Sequence, residues 1–191
     1  MPTDNLPIVS FESPEQWEKW LSENHAQQSG IWLRIFKKGS GESSVTYAEA
    51  LDEALCYGWI DGQKNKYDER SWIQKFTPRR KKSIWSKVNT EHVERLIKEE
   101  RMKPAGFKEV EAAQQDGRWQ QAYDSQKTMT IPEDFLHRLE KDSKAKTFFE
   151  TLNKTNRYSI AFQLQTAKKP ETREKRVKAI LEKLSKGEKF H

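Results

Sequence analysis

The chain has a single cysteine, Cys56, among its 191 residues. One thiol cannot build an intramolecular disulfide framework, so packing rather than covalent staples must hold the fold. Long apolar runs are missing too: no stretch approaches the roughly 20 apolar residues that a membrane-spanning helix needs. The opening MPTDNLPIVSFESPEQW has no basic segment leading into an apolar one. It does not read as a secretory signal, and the cytoplasm is the expected location.

Chemical fingerprints are as scarce. The sequence contains no GxxxxGK[ST] phosphate loop, no GxGxxG, no GxSxG, no HExxH and no CxxC. His25, His92, His137 and His191 are widely spaced, so no metal site and no cofactor are expected. A lone helical cysteine is usually an inert small residue, and Cys56 is read that way. These absences assign no catalytic residue.

What is present is aromatic and charged. Seven Trp, nine Phe and five Tyr can fill a core although only 34% of the residues are apolar. The length suits one domain or two small ones. Net charge is +6 and unevenly placed, since residues 151–191 carry 11 Lys/Arg against 4 Asp/Glu, an excess of +7. An acidic partner would suit that excess, whether nucleic acid, anionic lipid or protein. A solvated face of amphipathic helices explains it more simply, and that is the reading adopted.

Residues 50–89 form the densest stretch. Thr46 and Glu49 make a capping box. Tyr47, Ala50, Leu51, Ala54 and Leu55 then follow the i, i+3, i+4 spacing of an amphipathic helix, which Gly58 ends as a left-handed cap. Asp61-Gly62 is a turn dipeptide. A hairpin is expected beyond it, with its tip at Asp68-Glu69-Arg70 and its better strand over 71–77. Pro78 stops that strand. Arg79, Arg80, Lys81 and Lys82 follow in a run, next to Ser83, Trp85 and Asn89. A helical turn capped by Ser83 or Asn89 would add free N–H groups to those cations. The expected site is therefore an anion pocket built from Trp59, Asp61, Arg79, Arg80, Lys82, Ser83, Trp85 and Asn89. Its ligand would be a small anion or an acidic partner. Interleaved aromatics also allow nucleic acid, although no recognised binding signature accompanies them.

Elsewhere, Ser13-Pro14-Glu15-Gln16 starts a helix and residues 31–37 form a strand with Ile31, Leu33 and Ile35 on one face. Thr90 caps a helix running to about Arg101. Lys103-Pro104-Ala105-Gly106 breaks the chain, and a weaker helical stripe follows to Gly117. Trp119 and Tyr123 are expected to pack together onto the first domain. Beyond a linker at 126–129, Phe135, Phe149, Phe162 and Ile180 mark successive helical stripes. The fold expected is α+β: residues 1–128 as a small antiparallel sheet with flanking helices, and residues 129–191 as a helical domain.

Four segments in order carry a family likeness: ALCYGWIDG, FTPRRKKSIWSKVN, GRWQQAYD and AKKPETREKR. Together they resemble the YdeI/OmpD-associated (OmdA) family, the bacteriocin-protection proteins, over residues 11–187. Cys56-Tyr57 stands where members commonly carry Cys-Phe. The resemblance implies a bacterial protein linked to antimicrobial-peptide resistance, with a C-terminal OmpD-associated helical segment, and it brings no catalytic residues. The function expected is a non-enzymatic binding protein that contributes indirectly to bacteriocin tolerance. The alternatives are an enzyme or binder acting on a small anionic or nucleotide-like ligand, or nucleic-acid binding through the basic turn.

Overall fold

A computed structural model describes residues 5–190. The described chain divides into two compact units. The first comprises residues up to 85 together with 89–121, and the second comprises 86–88 and 122 onward.

The first unit is α+β. Ser13 caps α1 (Pro14–Asn24) through its hydroxyl, with proline at the first helical position. Thr46 and Glu49 close the expected capping box on α2 (Tyr47–Cys56). Gly58 follows with φ +73°, the left-handed stop read from the sequence. β2 (Ile31–Phe36) pairs antiparallel with β4 (Ser71–Pro78), which pairs antiparallel with β3 (Trp59–Lys66). The short strand β1 (Ile8–Val9) lies parallel to β2, so the sheet is mixed and ordered β1-β2-β4-β3. Only a register in space reveals so short a strand, because two residues carry no periodicity.

Side chains alternate across this sheet, and cross-strand partners share a face. Ile31 and Asp61 oppose Phe76, Leu33 and Lys64 oppose Gln74, and Ile35 and Lys66 oppose Trp72. The Phe76 end of that face receives α1: Trp17 lies 5.8 Å from Phe76 and 6.4 Å from Trp59, ring centroid to centroid. Asp61-Gly62 is not a turn. It lies within β3, where the register slips between Asp61 and Lys64. The buried Gln74 amide donates to the Gly62 carbonyl at 2.9 Å, so a side chain of the neighbouring strand satisfies the backbone at the irregularity.

Two helices complete the unit. α3 (Lys87–Lys98) begins three residues before Thr90, so Thr90 is not its cap. α4 (Pro104–Gln115) starts where a chain break was expected, because Pro104 sits at N1, where its missing N–H costs nothing. Gly106 lies inside this helix, and a Cβ there would stand 2.3 Å from the Cys56 carbonyl oxygen.

The second unit contains α5 (Glu133–Leu139), α6 (Ser143–Glu150), α7 (Lys154–Gln165) and α8 (Pro170–Ser185). Phe135, Phe149, Ile160, Leu164, Val177, Ile180 and Leu184 make their common core. Tyr123 belongs here rather than with Trp119: its ring meets Phe162 edge-on at 5.0 Å. Three arginines of the C-terminal stretch bond carbonyls at helix ends. Arg173 donates to Leu164 O at 3.0 Å, and Arg176 to Gln163 O at 2.5 Å, both in the last turn of α7 where carbonyls lack helical partners. Arg157 does the same for α6, donating to Glu150 O at 3.0 Å and Leu152 O at 3.1 Å. Arg173 also grips both Asp134 oxygens at 2.6 Å, and this guanidinium holds the Asp134 carboxyl below its usual range. Arg173→Ala is therefore expected to lower stability of the helical unit by about 1–2 kcal/mol, with Lys restoring less than half. Thermal melts followed by far-ultraviolet circular dichroism measure it.

Candidate functional site

The basic run emerges from β4 as a tied-down turn. Arg79 N donates to Gly58 O at 3.0 Å, and Ser83 N to Arg80 O at 2.8 Å. Ser83 Oγ accepts from Arg80 N at 3.1 Å. Arg79 is only 8% exposed, with its guanidinium carbon 3.4 Å from the Trp85 ring centroid. That is close stacking of a desolvated cation on an indole, the geometry in which cation–π attraction is strongest. From the far side Arg118 donates to Ser83 O at 2.9 Å, and its Nε binds Asp116 at 2.7 Å. The Arg118 pairing holds the Asp116 carboxyl below its usual range. Trp119 packs on Trp85 at 5.0 Å.

Arg80, Lys81 and Lys82 are left pointing outward. Lys81 and Lys82 border a shallow cavity of about 430 Å³ with Ala112, Gln115, Asp116 and Arg118. The turn thus gathers Arg79, Arg80, Ser83 and Trp85, with Lys82 at the cavity. Its arginine and tryptophan are scaffold rather than open walls.

The remaining expected members lie elsewhere. Trp59 is 1% exposed, its ring edge-on to Trp20 at 5.8 Å and its indole N–H given to His25 O at 3.1 Å, so it is core. Asp61 accepts from the Tyr47 hydroxyl at 2.8 Å. Asn89 is the third residue of α3, and Ser83 closes a turn rather than capping a helix. Sequence reasoning missed Asp116, Arg118 and Trp119. The signal was available in Asp116-Gly117-Arg118-Trp119, a turn glycine flanked by a charge pair and an aromatic.

A second polar cluster links α2 to α3. Asp52 receives His92 Nδ1 at 2.8 Å and Arg95 at 2.5 Å, while Glu53 receives Arg101 at 2.5 Å. Arg95 and Arg101 also both reach Glu99, at 3.0 and 3.3 Å. Burial raises the Glu53 carboxyl against the opposing pull of Arg101. Cys56 ends the same helix at 0% exposure; burial first, then the Glu53 charge, push its thiol up to about 12. A thiol so placed is protonated at neutral pH and does not attack. Cys56→Ser is expected to leave any binding intact. The native protein should consume no Ellman's reagent at pH 7.4 until it is unfolded, and fast stoichiometric labelling of folded protein would contradict this.

Among the described residues no three His, Cys, Asp or Glu side chains stand close enough to hold a metal ion, and no helix is long and apolar enough to cross a membrane.

Residues 9–109, just over half of the chain, match a family described as a domain of unknown function, DUF8412. The chain belongs to that family. Residues 128–187 match a second one, described as Bacteriocin-protection, YdeI or OmpD-Associated (OmdA). The likeness read over residues 11–187 therefore divides: ALCYGWIDG and FTPRRKKSIWSKVN lie in the DUF8412 match, AKKPETREKR in the OmdA match, and GRWQQAYD between them. The helices α5–α8 lie within the stretch similar to the YdeI/OmpD-associated family, and the DUF8412 match precedes it in the chain. No curated protein and no solved structure matches the chain.

Proposed function

We propose that the chain is a non-enzymatic binding protein that holds an anionic partner on residues 79–85. Acting from the cytoplasm, it contributes indirectly to tolerance of bacteriocins and related antimicrobial peptides. The observation that supports this most is the rigidity of the basic turn. The Arg79–Trp85 stack at 3.4 Å and the Arg118–Ser83 bond at 2.9 Å fix the backbone from which Arg80, Lys81 and Lys82 project. Cations held in place before binding lose less conformational freedom on meeting an anion. The Asp52–His92 pair, by contrast, is neutralised by Arg95 at 2.5 Å, and the Cys56 thiol is buried and protonated. That pairing supports binding over catalysis. The OmdA match supports the link to bacteriocin protection. An indirect role follows from location, because a cytoplasmic protein does not meet an extracellular peptide.

The test is complementation. A bacterial strain lacking the gene is challenged with bacteriocin after receiving the wild-type chain or the variant Arg80→Glu, Lys81→Glu, Lys82→Glu. All three side chains are exposed, so the variant should fold, which circular dichroism checks. Survival is expected with the wild type and not with the folded variant. Equal rescue by both would remove the turn from the function, and rescue by neither would remove the tolerance role.

A further inference from the structure

The far end of the sheet carries a second basic feature, independent of the turn. Trp72 lies between Ile35 and Lys66 in register, and Lys64 is one step along on the same face. The ladder continues past β2, where Lys37 N donates to Arg70 O at 2.8 Å. Alternation from Ile35 then puts Lys37 on that face as well. The helix-packed end of the face is at Phe76; at the Trp72 end it opens into a cleft of about 550 Å³ lined by Lys37, Lys64, Lys66, Ser71 and Trp72.

Five features describe what would fit there. Lys64 Nζ stands 4.7 Å from the Trp72 ring centroid, so a cation and a flat apolar surface are offered side by side. Lys66 pairs with an exposed partner, Glu69 at 2.8 Å, with side-chain exposures of 70% and 89%. Such a surface pair is weak and easily exchanged for a better anion. Lys37 Nζ donates to the Glu69 carbonyl at 2.8 Å, which keeps its charge at the rim. The Trp72 indole N–H is buried and has no acceptor among the described residues. Among the described residues no carboxylate lines the cleft. Lysines on the edge strand β3 would by themselves discourage strand pairing. That role needs neither the tryptophan floor nor Lys37, which comes from the other side of β4.

We propose that this cleft binds a small organic anion carrying a flat ring. The ring stacks on Trp72, and a phosphate or carboxylate meets Lys64, Lys66 and Lys37. The size is that of a small-molecule site rather than a macromolecular surface.

The test uses the full chain, ¹⁵N-labelled, with the Trp72 indole resonance assigned from Trp72→Phe. Phenyl phosphate, which has the ring and the dianion and little else, is titrated alongside inorganic phosphate and phenol. The Trp72 resonance should shift saturably with a dissociation constant below about 1 mM. Phosphate and phenol should each bind at least about tenfold more weakly, because each lacks half of the recognition. The exposed pair Lys64→Gln, Lys66→Gln should weaken phenyl phosphate at least about tenfold with the rest of the spectrum unchanged. No saturable shift up to about 10 mM, equal binding of inorganic phosphate, or unaltered binding by the Gln pair would each overturn the proposal. So would a response of the Trp85 indole in place of Trp72, which would move the ligand to the basic turn. The glutamate variant of that turn should bind phenyl phosphate as the wild type does, so this site and the proposed function fail separately.

Discussion

Trp17→Ala is expected to cost the first unit about 3–5 kcal/mol, the range for emptying a large aromatic site in a packed core. Trp17 is 0% exposed and sits where three elements converge. Its ring stacks on Trp20 at 5.3 Å within α1, meets Phe11 at 5.3 Å, and reaches Trp59 and Phe76 of the sheet at 6.4 and 5.8 Å. The indole N–H donates to Ala50 O at 3.1 Å, tying α1 to α2. Alanine leaves four aromatic rings around a void that none can fill without leaving its own contacts. Trp17→Phe separates the two contributions. It keeps most of the ring and loses the hydrogen bond, and should cost about 1–3 kcal/mol. Urea denaturation followed by near-ultraviolet circular dichroism measures both. A cost under about 1 kcal/mol for alanine would show that this cluster does not organise the unit.

Gly106→Ala should be nearly as damaging, at about 2–4 kcal/mol, although helix propensity alone favours alanine by about 1 kcal/mol. The added methyl would meet Cys56 O at 2.3 Å, Cys56 C at 2.9 Å and the Met102 methyl at 2.8 Å. Met102 can swing aside. The carbonyl cannot, because it accepts from Lys103 N at 3.2 Å, directly at the start of α4. Relief therefore requires α4 to retreat from the end of α2. Gly58 faces the same junction: its own Cβ would meet Ala105 O at 2.9 Å. Gly62→Ala is the control, since there a methyl meets only Lys75 side-chain carbons at 3.5 Å or more. That variant should be neutral or slightly stabilised, by up to about 1 kcal/mol. Comparable losses for both alanines would mean that general glycine chemistry, not close approach, sets the Gly106 effect.

The basic turn was legible where its parts are adjacent in the chain. Arg79, Arg80, Lys82 and Ser83 are contiguous, and Pro78 fixes where they begin, so the basic turn could be read directly. Arg118 joins it from 35 residues away through Ser83 O, a meeting that no local spacing announces. The C-terminal charge teaches the same lesson. An excess of +7 reads as a solvated face, and most of these cations are exposed, while Arg173 and Arg176 reach carbonyls in the last turn of α7. A charge count records how many cations exist and not which of them find helix ends.

By itself the sequence determined the elements whose cause lies within one turn or one hairpin. Ser13-Pro14, the Thr46–Glu49 box, the Gly58 stop, the hairpin tip at 68–70 and the strand end at Pro78 all stand where side-chain and backbone chemistry put them. Tertiary structure decided everything that depends on a partner distant in the chain. It kept Asp61-Gly62 in a strand, because Gln74 supplies a donor where β3 slips. It explains why a glycine stands inside α4, because the Cys56 carbonyl leaves no room for a Cβ at position 106. It also chose among the tryptophans. Register and alternation put Trp59 beneath α1 and Trp72 beside three lysines at the open end of the same face, two fates that composition and spacing cannot tell apart.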